Sequence, residues 1–101
     1  MDILISIERI EEFSIELLDF DAFKDDLRTR LAIERCLEII GEATNQLLKL
    51  EPNVPISHTE KMVGLRNRIT HGYDDVSEIS IWEIIKVHLP ILKSEVQTLL
   101  S

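Results

Sequence analysis

Residues 26–50, DLRTRLAIERCLEIIGEATNQLLKL, decide the fold. The run holds no proline and repeats apolar side chains at helical steps, so it predicts one long helix. Ala32, Cys36, Ile39, Ile40, Ala43, Leu47 and Leu50 mark its expected buried face. Arg30, Glu34, Glu38 and Glu42 run along another face at steps of four, a spacing that lets Arg30 and Glu34 pair and otherwise reads as a solvated row. Gly41 stands in mid-helix, where it costs ~1 kcal/mol relative to alanine unless close packing offsets it. A neighbouring helix, from this chain or from a second copy, is the expected cause.

Three further amphipathic segments surround this one. Upstream, Ile3, Ile7, Ile10 and Leu17 give one apolar helical stripe, and the four aspartates of LLDFDAFKDD (17–26) predict a turn of the chain. Downstream, EPNVP (51–55) ends the long helix, because neither proline can continue it. Ser57 followed by Glu60 has the spacing of a capping box, so a third helix with Met62, Val63, Leu65 and Ile69 is expected to start there, with Gly72 as its stop. The last segment sets Ile81, Ile84, Ile85, Leu89, Leu92, Val96 and Leu99 on one side. Pro90 inside it predicts a kink or a division. Without repeats or alternating strand patterns, the expectation is an all-α antiparallel bundle of four to five helices, forming one domain over 1–101.

Composition narrows the functional classes. Hydrophobic residues make up 45% and charged residues 30%, with three Gly and three Pro, which suits a compact domain and excludes a disordered segment. No stretch reads as a signal peptide or approaches the ~20 apolar residues of a membrane span. The single Cys36 has no internal partner, so a cytoplasmic address is the simplest. A net charge of −8 argues against a general nucleic-acid coat. Yet between His58 and Tyr73 stand Lys61, Arg66 and Arg68 against Glu60 alone, a positive island suited to a focused anionic ligand.

The island carries chemistry as well as charge. In GLRNRITHGYDD (64–75), His71 is the side chain suited to proton transfer near neutral pH. Arg66 and Arg68 carry forked donors that match phosphate oxygens. Arginine with histidine, and no metal, suffices to cleave RNA through its own 2′-hydroxyl: histidine moves the proton, and arginine stabilises charge developing on the phosphoryl oxygens. Arg66 and His71 lie five residues apart, about 140° around an ideal helix, so they do not share a face. Asn67 does share a face with His71 and can orient the imidazole. Convergence of Arg66 with His71 needs the arginine's length, a loosened helix end, or a second copy of the motif across a dimer. Generous apolar stripes for a chain of this size favour the dimer. The bland alternative is that both side chains only serve the helix C-terminus and its dipole.

GLRNRITHGY resembles the core signature of the HEPN superfamily, and in detail its HepT branch, whose motif reads R-x4-H-x-Y. Arg66, His71 and Tyr73 match its three named positions, with Asn67 at the polar one. The likeness extends through LRTRLAIERCLEIIGEA, VPISHTEKMVGLRNRITHGY and IWEIIKVHLPILKSEV, which resemble the family's second, third and last helices. The N-terminus departs, since members often carry several more residues before the first helix. The resemblance implies a metal-independent endoribonuclease without cofactors, the toxin of a toxin–antitoxin pair, acting on RNA as a homodimer with its motifs joined in a cleft. Arg30, Glu34 and Arg68 are candidate borders of that cleft. The resemblance also implies a minimal nucleotidyltransferase (MntA-like) antitoxin that transfers AMP to Tyr73.

Two other classes compete with this reading: a non-catalytic binding subunit or neutraliser of a nucleotidyltransferase, and a structural dimerisation domain that keeps the motif without activity. A neighbouring nucleotidyltransferase reading frame separates the last from the others, and an activity assay separates the first two. His58, His71, His88 and Cys36 are too scattered for a metal site. His88 reads as a core-edge residue and Trp82 as a packing anchor.

Overall fold

A computed structural model describes residues 2–15, 17, 19–57, 59–70 and 78–100. The helices are α1 (Asp2–Ser14), α2 (Phe20–Asp25), α3 (Leu27–Leu50), α4 (Thr59–Thr70), α5 (Glu78–Glu83) and α6 (Leu89–Leu100). A π-helical turn, Ile84–His88, joins α5 to α6, and its flanking residues are helical, so the three run end to end as one rod. The architecture is an all-α bundle with no strand among the described residues. Overall extents are 38 × 29 × 18 Å. The thinnest dimension fits two helix layers, and the longest matches α3, whose 24 residues span about 36 Å.

The long helix α3 is the organiser, packed between α1 on one side and α4 on the other. Its start is fixed locally: Asp26 caps it, accepting from the Thr29 amide at 3.0 Å and from the Thr29 hydroxyl at 2.8 Å. Those bonds, backbone amide first, hold the Asp26 carboxyl below the usual carboxylate range. Glu51 ends the helix just before Pro52. The buried face differs from the expected one. Ile33, Cys36, Leu37, Ile40, Gly41 and Thr44 are buried, while Ala32, Ile39, Ala43 and Leu47 are only half-buried and Leu50 is exposed. With helices on two sides, the buried arc is wider than a single stripe and centres one position away from Ala32 and Ala43. Thr44 satisfies its hydroxyl on the Ile40 carbonyl at 2.7 Å, which makes its burial tolerable.

The aspartate-rich stretch is not simply a turn. Asp19 accepts from the Ala22 amide at 2.9 Å and so caps the short helix α2. Phe23 of α2 is fully buried, its ring centroid 5.3 Å from that of Trp82, and Phe20 lies 6.4 Å from the same indole. Tertiary burial of two aromatic rings thus sustains a six-residue helix that is too short to stand alone. Leu17 lies beyond the end of α1, half-buried against the core.

Two other expectations are corrected. Ser57 does not open a capping box: its amide and hydroxyl both donate to Glu95 of α6 at about 3 Å, and α4 begins at Thr59. Leu99 is 43% exposed, outside the apolar stripe that ends at Val96. Pro90 meets the expectation of an interruption, since a π-helical turn separates α5 from α6 there. It lacks the amide that would donate to the Lys86 carbonyl, and the π turn lies immediately before it.

Candidate functional site

Arg66 projects from α4 toward α3, and Gly41 is what admits it. A Cβ built on Gly41 would lie 2.8 Å from the Met62 carbonyl oxygen and 3.1 Å from Arg66 Cγ, with Arg66 Cβ closer still. Only a glycine lets the two backbones approach this far. The close neighbour expected for Gly41 is therefore the chain's own α4. Beyond this contact the Arg66 side chain, 19% exposed, reaches the next residue of α3, where its Nη2 forms an ion pair with Glu42 Oε2 at 3.0 Å. Arg66 Nε is buried without a hydrogen-bond partner among the described residues.

The contacts continue along the same edge. The Thr70 hydroxyl, at the last turn of α4, donates to Glu38 Oε2 at 3.2 Å, and Arg35 lies 3.8 Å from the same carboxylate. Glu38, Glu42, Gln46, Arg35, Arg66 and Thr70 line an open groove of about 390 Å³ between the two helices. The row of glutamates on α3 is therefore only partly a solvated face, because two of its members tie α4 in place. Within the groove two arginines balance two glutamates, so an incoming anion meets a guanidinium that already has a counter-ion.

Arg30 does not pair with Glu34. Its guanidinium forms a close ion pair with Glu78 at the start of α5, 48 residues away in sequence. The i+4 spacing made a local pair possible, but the fold offers a partner on a neighbouring element. Burial raises the Glu34 carboxyl above its ordinary range; nearby Arg30 opposes this, and Glu38 and Glu78 add to it. Leu27 and Leu31, on the same face of α3, are 57% and 56% exposed, and Ile79 beside Glu78 is 61% exposed.

Arg68 lines a different groove, of about 330 Å³, with Lys61, His88, Ser80, Glu60 and Glu83. There Lys61 Nζ lies 3.3 Å from His88 Nε2, and Glu83 lies 3.8 Å from the same nitrogen. Asn67 is exposed on α4. His71, Gly72, Tyr73, Asp74 and Asp75 lie outside the described residues, as does His58. Among the described residues no cluster of His, Cys, Asp and Glu could hold a metal ion, and no helix is long and apolar enough to cross a membrane. Sequence reasoning missed Gly41 as the contact that seats Arg66 and Glu42 as a groove residue. The glycine in mid-helix was the signal for the first; nothing in the spacing pointed to the second.

Comparison with known proteins places this geometry in context. Residues 3–99 match the family described as Ribonuclease HepT-like. A Methanocaldococcus jannaschii protein named as a candidate RNase is 39% identical over 95% of this chain and 88% of its own length. A candidate ribonuclease HepT of Thermococcus cleftensis is 36% identical over 97% of this chain and 89% of its own. A candidate RNase of Caldanaerobacter subterraneus is 38% identical over 94% of this chain and 81% of its own. No solved structure gives a significant match. The match over nearly the whole chain, with the motif arginine set on α4 against α3, shows that the protein belongs to the HepT-like ribonuclease family.

Proposed function

We propose that this protein is a metal-independent endoribonuclease and the toxin of a toxin–antitoxin pair, with Arg66 and His71 as its catalytic residues. The observation that carries the reading is Arg66, a forked cation set into an open groove by a glycine contact. In the reaction, the RNA 2′-oxygen loses its proton and attacks the adjacent phosphorus. The 5′-oxygen then departs and takes up a proton. His71 moves these protons, and Arg66 carries the charge that builds on the non-bridging oxygens. Asn67 orients the imidazole.

The acting unit is a homodimer in which the two motifs share a cleft. The exposed Leu27, Leu31 and Ile79 beside the Arg30–Glu78 pair support it, since large apolar side chains grouped around an ion pair are the make-up of an interface core with a polar rim. A second motif would also answer the 140° divergence of Arg66 and His71, supplying two histidines for the base and acid roles. Arg30 and Glu34 then border the cleft.

Regulation falls to Tyr73, the only tyrosine. A partner nucleotidyltransferase transfers AMP from ATP to its phenolic oxygen, releasing pyrophosphate. The added phosphodiester places a negative charge beside the cations meant for RNA.

The deciding test is RNA cleavage by purified protein with EDTA present. Wild type should cut, and His71→Ala should lose ~10²–10⁴ in rate and Arg66→Ala ~10²–10³. Equal activity in all three would overturn the assignment. Tyr73→Phe should stay active yet escape ATP-dependent neutralisation by the partner, and AMP found on a peptide lacking Tyr73 would refute that role.

A further inference from the structure

We infer that Glu42 is the positioning residue for Arg66 and also the gate on the phosphate it receives. The inference rests on the reading of Arg66 as catalytic. One turn of α3 supplies both parts of the device: Gly41 removes the side chain that would keep α4 away, and the adjacent Glu42 holds the guanidinium at 3.0 Å. Glu38 ties the end of the same helix through Thr70. Arg66 is thereby held at both its backbone and its tip, and a long side chain otherwise free over many rotamers is fixed in one.

The same carboxylate carries a cost for substrate. RNA phosphate must either displace Glu42 or share the guanidinium with it, and in both cases a negative charge stands beside the incoming one. Orientation and repulsion come from different properties of the side chain, so they can be separated. An acceptor oxygen orients; a net charge repels. Glutamine keeps the first and removes the second, whereas alanine removes both.

The experiment uses the full chain and a labelled single-stranded RNA oligonucleotide, with kcat and KM determined for each variant. Glu42→Ala should lower kcat about tenfold or more, because misplacing a reacting group by about 1 Å can cost ~10²-fold, while KM does not rise. Glu42→Gln should recover most of kcat and show a KM below that of wild type. In an Arg66→Ala background, Glu42→Ala should cause no further loss, because the residue it acts through is gone. Melting curves accompany each variant; should Glu42→Ala fail to fold, Glu42→Gln carries the test through its KM. The inference is overturned if Glu42→Ala retains the wild-type kcat, if it slows the Arg66→Ala enzyme as much as wild type, or if Glu42→Gln binds RNA no better than wild type. Wild-type activity in Arg66→Ala alone is a different failure and removes the proposed catalytic role first.

Discussion

Gly41→Ala tests the packing at the centre of the site, and its sign is set by geometry. In an ordinary exposed helix, replacing glycine by alanine stabilises by ~1 kcal/mol. Here the new methyl would lie 2.8 Å from the Met62 carbonyl oxygen, and Arg66 Cβ would be closer still. Comfortable carbon contacts need about 3.5–4.0 Å, so α4 would have to retreat by roughly 1 Å. Neither obstacle is the free end of a flexible side chain, so the site cannot relax cheaply. Overpacking of this kind costs ~1–3 kcal/mol, and contact with backbone places the cost at the upper end. Set against the gain in helix propensity, the net loss is about 2 kcal/mol. For a domain of this size that lowers the melting temperature by roughly 8–16 °C.

Gly64→Ala is the internal control. An added Cβ there meets nothing within 4 Å, so the same substitution in α4 should raise stability by up to ~1 kcal/mol. Urea and thermal unfolding followed by circular dichroism measure both. Gly41→Ala at or above wild-type stability, or the two variants shifting in the same direction, would refute the argument.

Further outcomes follow from features around the site. Leu31→Asp should weaken a symmetric dimer by about 3–6 kcal/mol, since each of two leucines contributes ~1.5–3 kcal/mol when buried; sedimentation velocity would show monomer, and an unchanged dimer would remove this face from the interface. Phe23→Ala should cost ~3–5 kcal/mol and is read by urea unfolding, a loss below 1 kcal/mol showing that α2 is not anchored by this ring. Glu34→Gln should be more stable than wild type at pH 7, with the difference shrinking as pH falls. The Glu34 carboxyl is raised in the folded state, so its ionised form carries a penalty above that raised value which vanishes below the ordinary 4.5. A pH-independent difference in urea midpoint would contradict this.

Local signals were readable where the physics is local. The apolar period from Asp26 to Leu50 and the prolines of EPNVP bound α3 to within a residue, and the apolar stripe of α5 and α6 is legible through Val96. What escaped was decided by neighbours distant in sequence. Helix α2 shows no apolar period in its six residues, because Phe23 and Phe20 bind it to Trp82, about sixty residues on. Ile33 and Leu37 were passed over because α3 is buried against two helices, which widens the apolar arc beyond one stripe. R-x4-H-x-Y singles out Arg66 as a candidate, but its counter-ion depends on how closely α4 meets α3. A row of glutamates spaced by four looks the same whether it faces water or an arginine. Likewise, Arg30 had one acceptable partner in its own helix and took another from α5.

Trp82 has a practical consequence. It is the chain's single tryptophan, set against Phe20 and Phe23 with Lys86 Nζ 4.6 Å from the ring centroid, on the side of the bundle where α2 meets α5. Its emission is therefore a single-site optical reporter of α2 docking. Far-ultraviolet dichroism, in contrast, is weighted by the long helices that carry the groove. Overlaying the two signals during denaturation asks whether α2 detaches before the body melts, which is the coincidence test for all-or-none unfolding. Because neither groove includes the indole, RNA titrations that leave its spectrum unmoved would still be compatible with occupancy beside Arg66.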